Sequence, residues 1–159
     1  MYESRQNLRG LNAPSDKVPT MLTAARHLAF HGSLVLLFGL ALGSPYAKAI
    51  NRQATAHIVN SWRVAHQSLP IAAGLMLTVA ALLTPLGVSP ELAWMISGSL
   101  TLSSYCFCVS MPLAAITGHR GLTRGTNVKE NLVLWANVGG AGLSAVAALF
   151  LVAACALSL

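Results

Sequence analysis

Four long apolar runs, separated by short polar stretches, dominate the chain: about residues 22–43, 64–84, 91–116 and 131–157. A helix rises 1.5 Å per residue and the hydrocarbon core of a bilayer is about 30 Å thick, so roughly 20 apolar residues cross it. Each run reaches that length. Period-two alternation is absent, which disfavours a β-barrel. Within lipid the backbone must close its own hydrogen bonds, which leaves helices. The pattern therefore predicts an all-α integral membrane protein, a four-helix transmembrane bundle forming one domain over residues 21–159. The first twenty residues, "MYESRQNLRGLNAPSDKVPT", carry no apolar core of a signal peptide and are expected to form a mobile or surface-lying polar arm.

Composition agrees with the pattern. Only 9% of residues are charged and the mean hydropathy is +0.63, against about 25% charged in a soluble domain. The net charge of +6 would point to nucleic acid in a soluble protein. Here the basic residues fall between apolar runs, as loops facing anionic headgroups do, so nucleic acid is not expected as a partner; the lipid bilayer is. Four spans put residues 44–63 and 117–130 on one side. That side holds Lys48, Arg52, Arg63, Arg120, Arg124 and Lys129, against Arg5, Arg9, Lys17 and Arg26 on the other, a small excess that favours it as cytoplasmic. Cys106, Cys108 and Cys155 all lie in apolar runs and read as small buried hydrophobes.

The third span, "ELAWMISGSLTLSSYCFCVSMPLAAI", is polar for its place. Ser99, Ser103, Cys106 and Ser110 form one stripe, and Ser97, Thr101, Ser104 and Cys108 the next. Small hydroxyl residues let helices approach and bond across, so a packing face is the first expectation and a cavity wall the second. In the fourth span Ala136, Gly140, Ser144 and Ala148 repeat every four residues, which predicts a helix–helix seam, within the protomer or between copies.

Ionisable residues inside a membrane point to function. In "SWRVAHQSLP" His66 follows Trp62 by one turn on the same face, and Pro70 leaves the His66 carbonyl without its usual donor. An imidazole, an aromatic plate and local backbone slack suit a planar cofactor. By spacing alone, an interfacial histidine beside an aromatic-belt tryptophan explains the pair more simply. His27 and His31 share a face of the first span, a possible metal pair that is incomplete with two ligands. In "TGHRGLTRGTN" the glycines shape turns, and Arg120 and Arg124 suit anionic groups or headgroups. The topology places this loop on the same side as the start of span two, so that an imidazole at His66 and a guanidinium at Arg120 could hold the centre and the carboxylates of one porphyrin; without that ligand Arg120 reads as a headgroup contact.

Three stretches together resemble the styrene oxide isomerase family: "HGSLVLLFGLALG" from His31, "WRVAHQSLPIAAGLML" from Trp62, and "HRGLTRGTN" from His119. The resemblance implies a small membrane protein that binds b-type haem at the subunit interfaces of a homotrimer, in a bacterial-type inner (cytoplasmic) membrane. It implies His66 as the axial ligand of ferric iron, which acts as a Lewis acid on a small lipophilic epoxide and yields an aldehyde or ketone without net redox change. Trp62 is then expected at the porphyrin edge, Arg120 near a propionate, and His31 as a buttress of the pocket. The family's substrate-side asparagine, aspartate and tyrosine fall, by ungapped counting, on Ala72, Ser103 and Met111. None of the three is kept, and Ser103 and Tyr105 are expected to face substrate in their stead. Two other functions stay open: a haem protein with different chemistry (peroxide or small-gas handling, dehydration, electron transfer), and a cofactor-free structural membrane protein.

Overall fold

The computed structural model describes residues 21–159, so the polar arm at 1–20 lies outside the described residues. The helices are α1 (Thr23–Ala41), α2 (Gly43–Asn51), α3 (Ala56–Leu83), α4 (Pro90–Thr117) and α5 (Val128–Leu157), with no strand among the described residues. Four stretches are long and apolar enough to cross a membrane: Thr23–Asn51, which joins α1 and α2, and then α3, α4 and α5. The protein is an all-α integral membrane protein with four spans.

The helix ends depart from the apolar runs. Residues 43–51 are helical rather than a connection, and α3 starts at Ala56, eight residues before the apolar run at 64. Lys48 and Arg63 do not stop a helix here, because long basic side chains carry their charge outward while the stem stays on apolar surface. The break at Leu42 has a local cause. Pro45 has no N–H to give to Ala41, and its ring crowds that carbonyl, so α1 ends and α2 restarts within one residue. Gln53, at φ +51°, makes the tight turn into α3.

The other ends are capped by side chains. The Ser89 hydroxyl accepts from the Leu92 amide ahead of α4, and Gly118, at φ +72°, closes that helix in the left-handed region that glycine tolerates. At α5 the Asn127 side chain accepts from the Glu130 amide. The Glu130 carboxylate returns to the Thr126 amide and the Asn127 side-chain amide. This reciprocal cap folds the loop 118–127 down onto the helix it precedes.

In the packing α3 sits against α1, α2 and α4, while α5 lies along α4. Leu28, Val35, Leu69, Met76, Leu83 and Ile96 fill the common core. On α5 the buried positions are Val133, Gly140, Ala147 and Ala154, one every seven residues. Of the expected four-residue repeat, Gly140 and Ser144 lie on this seam, whereas Ala148 is exposed. Four residues overshoot a full turn by about 40°, while seven fall short of two turns by only about 20°, so a long straight contact follows the heptad. Gly140 allows the close approach: a Cβ there would lie 3.1 Å from Phe107 and 3.2 Å from Cys106.

Candidate functional site

His66 stands about 15 Å along α3 from Ala56, at 1.5 Å per residue. Its ring turns toward the junction of α1 and α2. Nδ1 is 2.9 Å from the carbonyl oxygen of Gly39. A carbonyl only accepts, so the proton of the neutral ring sits on Nδ1, and Nε2 keeps its lone pair. Tyr46 of α2 stacks against the same ring, centroids 6.2 Å apart at 28°.

Two glycines make room for this arrangement. A Cβ on Gly39 would come within 2.6 Å of the Pro70 ring and 2.9 Å of the Leu69 Cβ, so α1 meets α3 here through bare backbone. A Cβ on Gly43 would stand 3.1 Å from Cε1 of His66 and 3.6 Å from Nε2. The first and second sequence stretches therefore meet in space, Gly39 and Gly43 against His66 and Pro70. Neither glycine nor Tyr46 was singled out by sequence reasoning. The only available signal was the spacing of Gly39 and Gly43, one turn apart on a helix, which is common in membrane spans.

Trp62 lies one turn before His66 and faces α2, lining a cavity of about 290 Å³ with Pro45, Lys48 and Arg52. Arg120 is placed elsewhere. It lines a cavity of about 400 Å³ with His57, Asn60, Val64, Met111 and Asn137, and Asn137 donates to its carbonyl at 3.3 Å. Nine residues at about 100° each set His66 about 180° around α3 from His57. Within one chain the His66 ring and the cavity that Arg120 lines thus lie on opposite sides of α3.

His31 and Tyr105 come together, with Nδ1 2.7 Å from the phenolic oxygen. His27 and Trp94 stand beside them, ring centroids 5.3 Å apart, and His27 stacks near His31 at 6.4 Å. His31 is eight residues, about 12 Å, along α1 from Gly39, so the structure does not place it beside His66. Ser103 lies in the contact between α4 and α5. It is 2% exposed, and its hydroxyl gives its proton to the Gly140 carbonyl at 2.7 Å with Ser144 at 2.6 Å. Two residues turn a helix by about 200°, which sends Ser103 to α5 and Tyr105 to α1. Ser104 likewise packs on α3, its hydroxyl 3.1 Å from the Met76 sulfur.

The fold and this geometry define an integral membrane protein with four helical spans and a histidine ring held where α1, α2 and α3 meet. A family model described as styrene oxide isomerase matches residues 24–157. The chain belongs to the styrene oxide isomerase family. Comparison with curated proteins and with solved structures gives no match.

Proposed function

We propose that this protein is a haem b membrane enzyme that rearranges a small lipophilic epoxide to the isomeric aldehyde or ketone. The observation that carries the reading is the His66 ring, whose Nδ1–H is spent on the Gly39 carbonyl while Nε2 stays available. Iron-binding histidines are held this way, the second nitrogen donating to a carbonyl that fixes tautomer and ring plane. The donor set fits as well. Among the described residues no group of three or more His, Cys, Asp or Glu is gathered for a bare metal ion, and a porphyrin asks the protein for one imidazole. Family membership supports isomerisation as the class of reaction.

In this reading His66 holds the iron, Gly39 orients the imidazole, Gly43 lets the ring pack against the backbone without a side-chain clash and Tyr46 braces the ring. Trp62 offers an aromatic wall one turn away. Haem, when bound, supplies a ferric Lewis acid that polarises the epoxide oxygen. The spans exclude water, which keeps an electron-deficient carbon from being hydrated before the carbonyl forms. Net redox change is nil. Because Arg120 and His66 face opposite sides of α3, a porphyrin that meets both takes the guanidinium from a neighbouring copy. That arrangement agrees with a homotrimer carrying haem between its subunits.

The test is an absorption spectrum of detergent-purified protein, ferric and then dithionite-reduced, followed by assay on styrene oxide. A Soret band with an open or water-bound sixth position, lost in His66→Ala, together with aldehyde formation, is the expected result. Full haem content in His66→Ala would overturn the ligand assignment. Open-site haem inert to epoxides would overturn the reaction.

A further inference from the structure

On the more basic side of the bundle, α2 and the first turns of α3 enclose a cavity of about 290 Å³. Lys48 and Arg52, one turn apart at the end of the first span, bring two cations to its wall, and Trp62 brings an indole N–H. Pro45, Ala54 and Ile58 make the remainder apolar. The protein supplies these cations with no counter-charge. Among the described residues the carboxylate side chains are Glu91 and Glu130. Glu91 opens α4 at the other end of the bundle, and the Glu130 oxygens are taken by Thr126 and Asn127. The C-terminal pole of α2 favours a cation in its last turn, where Lys48 stands. That pole is worth about half a negative charge, which leaves most of two positive charges uncompensated.

We propose that this cavity is a specific site for one anionic glycerophospholipid, its phosphate between Lys48 and Arg52 and its acyl chains left in the bilayer. Arg52 offers the planar fork that meets two phosphate oxygens, and Lys48 a point charge. Two observations favour a lipid over a soluble anion. The cavity lies where the first span ends, at Asn51, which is headgroup level and the ordinary depth of a tryptophan. Its apolar walls suit a glycerol backbone, and a volume near the roughly 300 Å³ lower bound of ligand pockets takes a headgroup without the chains. A basic surface attracts headgroups with no pocket at all, as exposed Lys129 does. Lys48 and Arg52 differ from it because they share one concave wall, and basic pockets between membrane helices hold anionic lipids singly.

The site stands apart from the haem reading, and native mass spectrometry reads the two separately, because lipid and haem add different masses. The full-length protein in detergent is equilibrated with equal amounts of phosphatidylglycerol and phosphatidylcholine bearing the same chains. Expected is one phosphatidylglycerol retained per chain in preference to phosphatidylcholine. Lys48→Gln and Arg52→Gln should each lower that preference about fivefold, as loss of one cation beside a charged headgroup does. Ala54→Leu should lower it by narrowing the cavity at unchanged charge, and Lys129→Gln should leave it as in the native chain. Equal losses in Lys129→Gln and Lys48→Gln would show a diffuse surface attraction and sink the site. Full retention in Ala54→Leu would put the lipid outside the cavity, and displacement by inorganic phosphate would make this a free-anion site; either result overturns the proposal. His66→Ala, whatever its haem content, should keep the lipid. Lipid held by haem-free His66→Ala but not by the haem-loaded native chain would give Lys48 and Arg52 to the porphyrin carboxylates instead. A haem-free native chain that retained the lipid would leave this site standing and sink the haem reading.

Discussion

At the scale of single residues, the His66 pocket depends on atoms that are missing. Gly43 has only hydrogens where a side chain would meet the imidazole. Gly43→Val should therefore displace the ring from the Gly39 carbonyl and lower haem content severalfold while helicity is kept, measured as Soret absorbance against circular dichroism. A variant with full haem would show that the ring does not need this space. Ser103 makes the opposite case. Its hydroxyl ties α4 to α5, so Ser103→Ala should cost about 1 kcal/mol of stability and leave turnover per folded molecule unchanged. A large loss of turnover at unaltered melting temperature would return Ser103 to the substrate side. Both cases explain what was legible in sequence. A histidine and a tryptophan one turn apart stand out in an apolar run. The carbonyl that orients the histidine belongs to another helix, and every residue carries a carbonyl.

At the scale of elements, the spans were legible because lipid leaves the backbone no option but helix and apolar length sets the crossing. Their ends were less so. The α3 boundary was expected near residue 64 and stands at Ala56, since Arg63 extends its charge to the interface without ending the helix. The α4–α5 seam was visible as small residues, but its period was hidden, because Ala136, Gly140, Ser144 and Ala148 repeat by four while burial on α5 repeats by seven. Adjacent glycines test this. Gly140 meets Phe107 and Cys106, whereas a Cβ on Gly139 meets nothing within 4 Å. Gly140→Val should destabilise the bundle by about 1–3 kcal/mol through overpacking, and Gly139→Val by much less, read as thermal unfolding in the same detergent. Equal losses would mean that the seam is not tight.

At the scale of the whole molecule, the placement of His66 and Arg120 on opposite faces of α3 turns an intramolecular site into a question of assembly. A ring of three identical chains has heterologous interfaces, each pairing one face of a protomer with the other face of its neighbour. If a porphyrin lies across such an interface, His66 comes from one chain and Arg120 from the next. His66→Ala and Arg120→Glu proteins should each be poor in haem when made alone, the second because a carboxylate is set against a propionate. If the protein is the proposed homotrimer, co-expression with separate tags and purification through both selects mixed rings. Around any mixed ring one interface joins a chain that keeps His66 to a neighbour that keeps Arg120, so haem should return to about one third of the wild-type content. If both residues served a porphyrin within one chain, no mixed ring would contain an intact pair and no haem would return. If Arg120→Glu alone bound haem fully, Arg120 would have no part in holding it.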